Sequence, residues 1–387
     1  MTRGGQRIAG LVLAVFGIGM AAMVMEIGVR VLHLVPDRFW EYDERLGTRL
    51  IPRMEGWWTQ EDHEFLVPVK INSLGLRDRE RTVEKPAGMS RVLLVGDSYI
   101  EALQVPVEDA LGSLLESRLK ANGTAVEVVN AGVSGYGTAG ELLWFREIGH
   151  RFDPDLVLLA FYPGNDVKNN SPVLEKALVP EYGGDGSAVR IVGKKSTGAR
   201  KGLLGRSAAY TYLRKLILTR QPALASLLVR VGVMKPSAIR AGDVVADVPL
   251  DYWVYATPPP REWVDAWRHT ERNLDDFRAA VAERGSRFAV VVVTARDQID
   301  KESWQAVRAT YPRMADDGWD LDGPTARVLE WCKDRGVACL SLVPAFRIAR
   351  DSGAERLHFT HDGHWTAAGH RLASEAVAQF IERESLL

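Results

Sequence analysis

Arg91-Val-Leu-Leu-Val-Gly-Asp-Ser-Tyr99 is the stretch that sets the fold of this chain. Four aliphatic residues, Val92 to Val95, stop at Gly96, and Asp97 and Ser98 come immediately after. A short apolar run closed by a glycine is the pattern of a strand buried on both faces of a parallel sheet. Such a strand delivers the next residues to the carboxyl edge of the sheet, where open α/β folds place their sites. Ser98 is therefore a candidate nucleophile. A serine hydroxyl is weak by itself and needs a base, an orienting acid and donors for a developing oxyanion.

Working outward, four more apolar runs read as core strands: Val126–Val129, Leu156–Phe161, Phe288–Thr294 and Ala338–Leu342. Helices alternate with them, over Asp109–Ala121, from Thr138, over Glu262–Arg284, from Pro324 and from Thr366. Within Glu262–Arg284, Trp267, Leu274, Phe277 and Val281 recur at helical spacing, and Pro324 suits a first helical turn. Right-handed crossovers then predict an α/β fold, a doubly wound (flavodoxin-like) parallel sheet of five strands with helices on both faces. The partners that Ser98 needs stand at other strand ends and loops. Gly135 lies in Asn130-Ala-Gly-Val-Ser-Gly, Asn165 in Pro163-Gly-Asn-Asp, and Asp362 and His364 in His361-Asp-Gly-His-Trp365.

These four blocks, in this order, resemble those of the SGNH (GDSL-type) hydrolase family, over residues 89 to 383 apart from one insertion. The resemblance implies a serine esterase that works through an acyl-enzyme. Ser98 would attack, His364 would take its proton, and Asp362 would fix the imidazole tautomer. The oxyanion hole would comprise the Ser98 and Gly135 amides and the Asn165 side chain. Two positions depart from the usual pattern. The last block is Asp362-Gly-His364 instead of Asp-x-x-His, and it is similar to the Asp-x-His-Trp of SGNH-like alginate O-acetylation proteins, where the pair precedes the serine. Glu101-Ala102 stands where related sequences often carry a glycine.

Other motifs are outweighed. Gly135-Tyr-Gly-Thr-Ala-Gly140 matches a dinucleotide fingerprint but sits on the second strand–helix turn and several residues past the strand. His358, His361, His364 and His370 crowd one segment without HExxH or a matching cysteine set, so no metal and no other cofactor is expected. No GxSxG elbow is present, which argues against the α/β-hydrolase fold. Cys332 and Cys339 are too few for a disulfide scaffold or a zinc motif; one bridge between them suits an oxidising compartment, and buried thiols at a helix–strand junction are the favoured of the two expectations.

The 387 residues are 46% hydrophobic and carry a formal charge of −1, which gives no nucleic-acid signature. From Ile8 to Met25 no residue is charged, Arg3 and Arg7 precede the run, and Glu26 comes directly after it. The run reaches the ~18 residues of a membrane-spanning helix, with the N-terminus cytoplasmic and the catalytic part periplasmic or otherwise extracytoplasmic. Apolar residues continue past the small-residue site Gly19-Met-Ala21, which favours a retained anchor over a cleaved signal peptide.

The expected organisation is an anchor with a short cytoplasmic tail (1–35), an approach segment (36–88) and a hydrolase domain (89–387) with an insertion (167–260). In the approach segment, Phe65, Val67, Val69 and Ile71 alternate as one half-buried strand. The insertion has no acidic residue between Asp185 and Asp243 but twelve basic ones, among them Lys194, Lys195, Arg214 and Lys215. Tyr210, Leu213, Leu216 and Ile217 form an apolar face beside that charge, as in membrane-surface helices. Anchor and insertion together point to an O-acylated glycan or lipid of the cell envelope as substrate. The alternative is an O-acyltransferase that uses the same triad, with a membrane-bound acyltransferase as its partner.

Overall fold

A 29-residue helix, Arg3–Val31, opens the chain in the computed structural model, which describes residues 3–60, 63–175, 179–182, 189–192, 207–221, 224, 227–228, 248–316 and 318–387. Its segment Ala9–Val31 is long and apolar enough to cross a membrane, and Leu11, Phe16 and Ile18 on it are exposed. Two antiparallel hairpins come next, β1 (Trp40–Asp43) with β2 (Gly47–Leu50) and β3 (Glu55–Thr59) with β4 (Leu66–Lys70). The alternation read at Phe65–Ile71 is β4, which buries Val67 and Val69. Its partner β3 carries Trp57 and Trp58 and breaks the period-two pattern, so pairing alone reveals it as a strand.

The central sheet contains β5 (Ser90–Gly96), β6 (Val126–Gly132) and β7 (Leu156–Phe161). A separate hairpin, β8 (Val179–Tyr182) with β9 (Val189–Val192), interrupts the run. The sheet then resumes with β10 (Arg287–Val292) and β11 (Ala338–Ser341). Its order is β11-β10-β7-β5-β6 and every pairing is parallel. Counted as core strands, this is the doubly wound order that reverses direction between the first and third, here β5 and β7. Ser98 comes just after β5 and Asn165 just after β7, so both emerge at the reversal point.

Side chains alternate between two apolar layers, as a pleated strand requires. Leu93, Val95, Val129, Leu159 and Val292 face Phe145, Trp263 and Phe277 on one side. Val92, Leu94, Val128, Leu158 and Val291 face Leu115, Phe346, Trp365 and Phe380 on the other. The helix predicted from Asp109 begins at Leu111, after a single 3₁₀ turn over Val107–Asp109. The helices Thr138–Glu147, Arg261–Ala282, Gly323–Arg335 and Ala367–Arg383 start within a residue of their predicted origins.

Arg91 ties the approach segment to the base of the sheet. Its buried guanidinium pairs with Glu127 and donates to the carbonyls of Thr82, Val83, Glu84 and Phe152.

One expectation is overturned: Cys332 and Cys339 form a disulfide. Gly336, left-handed at φ 62°, ends the helix Gly323–Arg335 and turns the chain directly into β11. That turn brings the two Cα atoms to 6.2 Å, within disulfide reach.

Of the basic insertion, β8, β9 and a helix Ala208–Arg220 are described. Lys194, Lys195, Arg200, Lys201, Arg206, Arg230, Lys235 and Arg240 lie outside the described residues. On the helix, Leu213 is exposed, and Tyr210, Leu216 and Ile217 are half-buried. Its N-terminus is capped by the first helix of the chain. Glu26 accepts the Ala208 amide at 3.0 Å, the Ala209 amide at 2.9 Å and the Ser207 hydroxyl at 2.7 Å.

Candidate active site

The strand β5 ends at Gly96, and the chain turns at once into the short helix Ser98–Glu101. Asp97 caps it, its side chain accepting the Tyr99 amide at 2.9 Å. Ser98 is thereby held at the first helical position, above the carboxyl edge of the sheet. Its Oγ lies 2.8 Å from His364 Nε2, and His364 Nδ1 lies 2.6 Å from Asp362 Oδ1. With Nδ1–H donating to the carboxylate, Nε2 is left as the acceptor of the serine proton. The two-residue step between Asp362 and His364 closes on a turn. Gly363 supplies φ +86°, and the His364 amide also donates to Asp362 Oδ1, at 3.2 Å. Tyr99 donates its hydroxyl to the Gly363 carbonyl at 3.1 Å, and its ring packs 4.8 Å from the imidazole.

His364 experiences opposing influences. Burial lowers its pKa, but the Asp362 contact and charge, with the fields of Asp97 and Glu101, outweigh burial and raise it above 6.5. Ser98, His364 and Asn165 line a cavity of about 400 Å³ that also takes in Tyr162, Tyr252 and Arg296.

Asn165 sits in the first turn of the helix Pro163–Asn169, directly after β7. Its Nδ2 donates to Asp97 Oδ2 at 3.0 Å, which uses one of the two N–H bonds of the amide. Gly135 occupies the turn after β6 at φ +81°, and its carbonyl accepts from Asn169 Nδ2 at 3.2 Å. It is not one of the residues lining the cavity. The structure thus joins Ser98, His364 and Asp362 directly and Asn165 through Asp97, and it places Gly135 one loop away.

Residues 251–387 match the family model described as "SGNH hydrolase-like domain, acetyltransferase AlgX". Over these residues the chain is similar to an SGNH hydrolase-like domain. The matched segment contains Asp362 and His364, whereas Ser98, Gly135 and Asn165 precede it. No curated protein matches the chain in sequence. Several solved structures align with it. TesA is 15% identical, with 77% of this chain and 100% of that chain covered at a TM-score of 0.37. A catalytic mutant of Axe2, an acetylxylan esterase from Geobacillus stearothermophilus, is 11% identical, covering 77% and 95% at 0.39. The lipase/acylhydrolase from Enterococcus faecalis is 13% identical, covering 76% and 97% at 0.38.

Around Ser98 and His364, the structure adds three acids that sequence reading did not single out as site residues. Asp97 is fully buried, which raises its pKa, and it links the Ser98 turn to Asn165. Its signal was visible, since it directly precedes the serine. Glu101 is also buried and pushed up to about 7 by that burial. It accepts both the amide and the hydroxyl of Ser134, the residue before Gly135. At the neighbouring departure, Ala102 adopts the left-handed region at φ 53°, the conformation a glycine would take without strain, and nothing in the structure explains the alanine. The third acid is Glu64, in the turn between β3 and β4. It accepts the amides of Thr360 at 2.8 Å, His361 at 2.8 Å and Asp362 at 3.1 Å.

The remaining residues of the histidine-rich segment diverge. His358 Nε2 meets the Thr294 hydroxyl at 3.1 Å, and His370 Nδ1 accepts the Leu111 amide at 3.3 Å. Burial lowers both to about 3, so each is a neutral core histidine. In the glycine-rich stretch, a Cβ on Gly137 would meet the Asp166 carbonyl at 2.8 Å, so close packing accounts for that glycine.

Proposed function

We propose that this protein is a membrane-anchored serine enzyme acting on ester bonds, with Ser98 as nucleophile, His364 as general base and acid, and Asp362 as the orienting carboxylate. The observation that carries this reading is the relay from Ser98 Oγ to His364 Nε2 at 2.8 Å and from His364 Nδ1 to Asp362 Oδ1 at 2.6 Å. In the first half-reaction, His364 takes the Ser98 proton as Oγ bonds to the ester carbonyl carbon. The resulting oxyanion is held by the second N–H of Asn165 and by the Ser98 amide, and the Gly135 amide joins them only if its loop, which does not line the cavity here, moves toward Ser98. Collapse breaks the bond to the leaving alcohol, which His364 protonates, and leaves an acyl group on Ser98. An acceptor hydroxyl, deprotonated in turn by His364, then attacks the acyl-enzyme and frees the serine.

With water as acceptor the protein is an esterase, and its substrate is an O-acylated glycan or lipid of the cell envelope. The match of residues 251–387 to a family described as an acetyltransferase favours a second reading, in which a sugar hydroxyl is the acceptor. Both share the acyl-enzyme. Trapping it with a radiolabelled acetyl ester and then chasing with water or with oligosaccharide separates them. Release as free acetate supports hydrolysis, and transfer of label to the sugar supports the transferase. Failure of label to reach Ser98 would refute both.

The helix Arg3–Val31 anchors the protein with its N-terminus in the cytoplasm and the catalytic part outside. A Cys332–Cys339 disulfide suits an oxidising compartment. Protease added to spheroplasts should remove the catalytic part. Full protection would place it in the cytoplasm instead.

A further inference from the structure

The turn between β3 and β4 lies far from the SGNH hydrolase-like segment in sequence, yet it reaches the loop that carries Asp362. Three consecutive backbone N–H groups of that loop, those of Thr360, His361 and Asp362, converge on one carboxylate. Thr360 donates to Glu64 Oε1, while His361 and Asp362 donate to Oε2, which also accepts Gln60 Nε2 at 2.9 Å. Only an ionised carboxylate offers enough lone pairs for so many donors. Burial would raise the Glu64 pKa, but the amides of His361, Asp362 and Thr360 outweigh it and hold the group below the ordinary glutamate value. The adjacent residues reinforce the contact, with the Phe65 and Phe359 rings packing edge-on at 5.1 Å.

Within the loop, the His364 amide holds the Asp362 carboxylate at 3.2 Å, but no bond of the loop itself engages the backbone N–H groups of Thr360, His361 and Asp362. Its backbone bonds run from the Phe359 amide to the His364 carbonyl at 2.8 Å and from the Gly363 amide to the Phe359 carbonyl at 3.2 Å. The backbone at Thr360, His361 and Asp362 is instead directed outward, onto Glu64. Because only one residue separates Asp362 from His364, the orientation of the Asp362 backbone determines where its carboxylate meets the imidazole. We infer that Glu64 is a positioning residue for the reaction, shaping the 360–362 loop so that Asp362 holds His364 in register with Ser98. The inference rests on the serine reading above. Glu64 acts through the loop and touches no reacting atom.

The test uses the full-length protein in detergent and a simple acetyl ester, comparing Glu64→Gln, Glu64→Ala and Val69→Ala with the unmodified chain. Val69 is buried in the same hairpin and makes no hydrogen bond to the loop amides named here, so its truncation removes apolar packing and leaves the Glu64 contacts in place. Glu64→Ala should lower kcat by roughly 10- to 100-fold, the scale of misplacing a catalytic group, with KM within about twofold. Its acidic pH limb should move down, because a loosened Asp362 no longer holds the His364 pKa up. Glu64→Gln, which keeps one acceptor oxygen, should fall between, and it supplies the measurement if the alanine variant does not fold. Val69→Ala should lower Tm and leave the limb in place. Glu64 variants with an unmoved limb, and with turnover lost only in proportion to the folded fraction, would reduce Glu64 to a packing residue and overturn the inference. Fluorophosphonate labelling of Ser98 in the unmodified chain separates that result from failure of the serine reading, which would appear as no label at all.

Discussion

Asn165 donates to Asp97 across the reversal point of the sheet, Nδ2 to Oδ2 at 3.0 Å. Asp97 follows β5 and Asn165 follows β7, two strands paired up to Gly96 and Ala160, so the hydrogen bond extends that pairing into a side-chain tie between the Ser98 turn and the Asn165 amide. The bond also selects which face of the amide remains for a substrate oxygen. With one N–H committed to Asp97, the other is left for the oxyanion contact proposed above. Asn165→Ala should therefore lower kcat by roughly 10²–10³ with little change in KM, as expected for a contact made in the transition state. Steady-state kinetics with a circular-dichroism check on folding measure it. Unchanged turnover would make Asn165 a structural partner of Asp97 alone.

Ser98 and His364 act as one unit in the proposed mechanism, so their losses should not add. Ser98→Ala and His364→Ala should each abolish ester turnover, and the double variant should be no worse than either. A fluorophosphonate should label Ser98 alone, and a chelator should leave the rate unchanged. Loss with chelator and recovery with zinc, with Ser98 unlabelled, would overturn the serine mechanism.

The pH limb should lie above the ordinary histidine value. His364 must be neutral to accept the serine proton, and Asp362 with its neighbours raises the imidazole pKa above 6.5. Activity should thus fall as pH drops through a point higher than 6.5, and Asp362→Asn should move that limb down while reducing the rate. Stability runs the other way. The folded state binds the His364 proton more tightly than the unfolded chain does, so this contribution is full below 6.5 and is lost as pH rises through the raised value. A limb below 6.5 in the unmodified chain would mean that burial dominates.

Glu101 should leave its own mark on stability. Burial pushes it up to about 7, against an ordinary value of 4.5, so the folded state holds this proton where the unfolded chain has released it. Its contribution is present below 4.5 and is lost as pH rises through about 7. Glu101→Gln cannot ionise, so its Tm should decline less than that of the unmodified chain between about pH 5 and 8. Thermal melts across that range decide it. Parallel curves would mean that the Ser134 donors keep Glu101 ionised.

Strand ends were legible because apolar runs announce where strands stop, and Ser98 and Asn165 follow β5 and β7 directly, whereas the Asp362–His364 pair lies beyond the helix Val343–Asp351, in the loop before the last helix. Five core strands could be read for the same reason: burial on both faces removes the ambiguity of alternation. Glu64 was not legible. It is a single acid in a polar turn, and its partner Thr360 lies 296 positions away, a contact that no local periodicity encodes. Cys332 and Cys339 were misread because disulfide reach depends on the backbone path between them. Gly336 sets that path, and cysteine spacing alone does not reveal it.

The hairpin formed by β3 and β4 also bears on how short this chain can be made. A chain trimmed to begin at Arg91 would keep the five core strands and every group that exchanges a proton or forms a bond. It would lack the acceptor for Thr360, His361 and Asp362, and those three donors would turn to water. Trimming there would also strip the buried Arg91 of its Thr82, Val83 and Glu84 acceptors, so on the reading proposed above the shortest chain that keeps full turnover begins at least as early as β3.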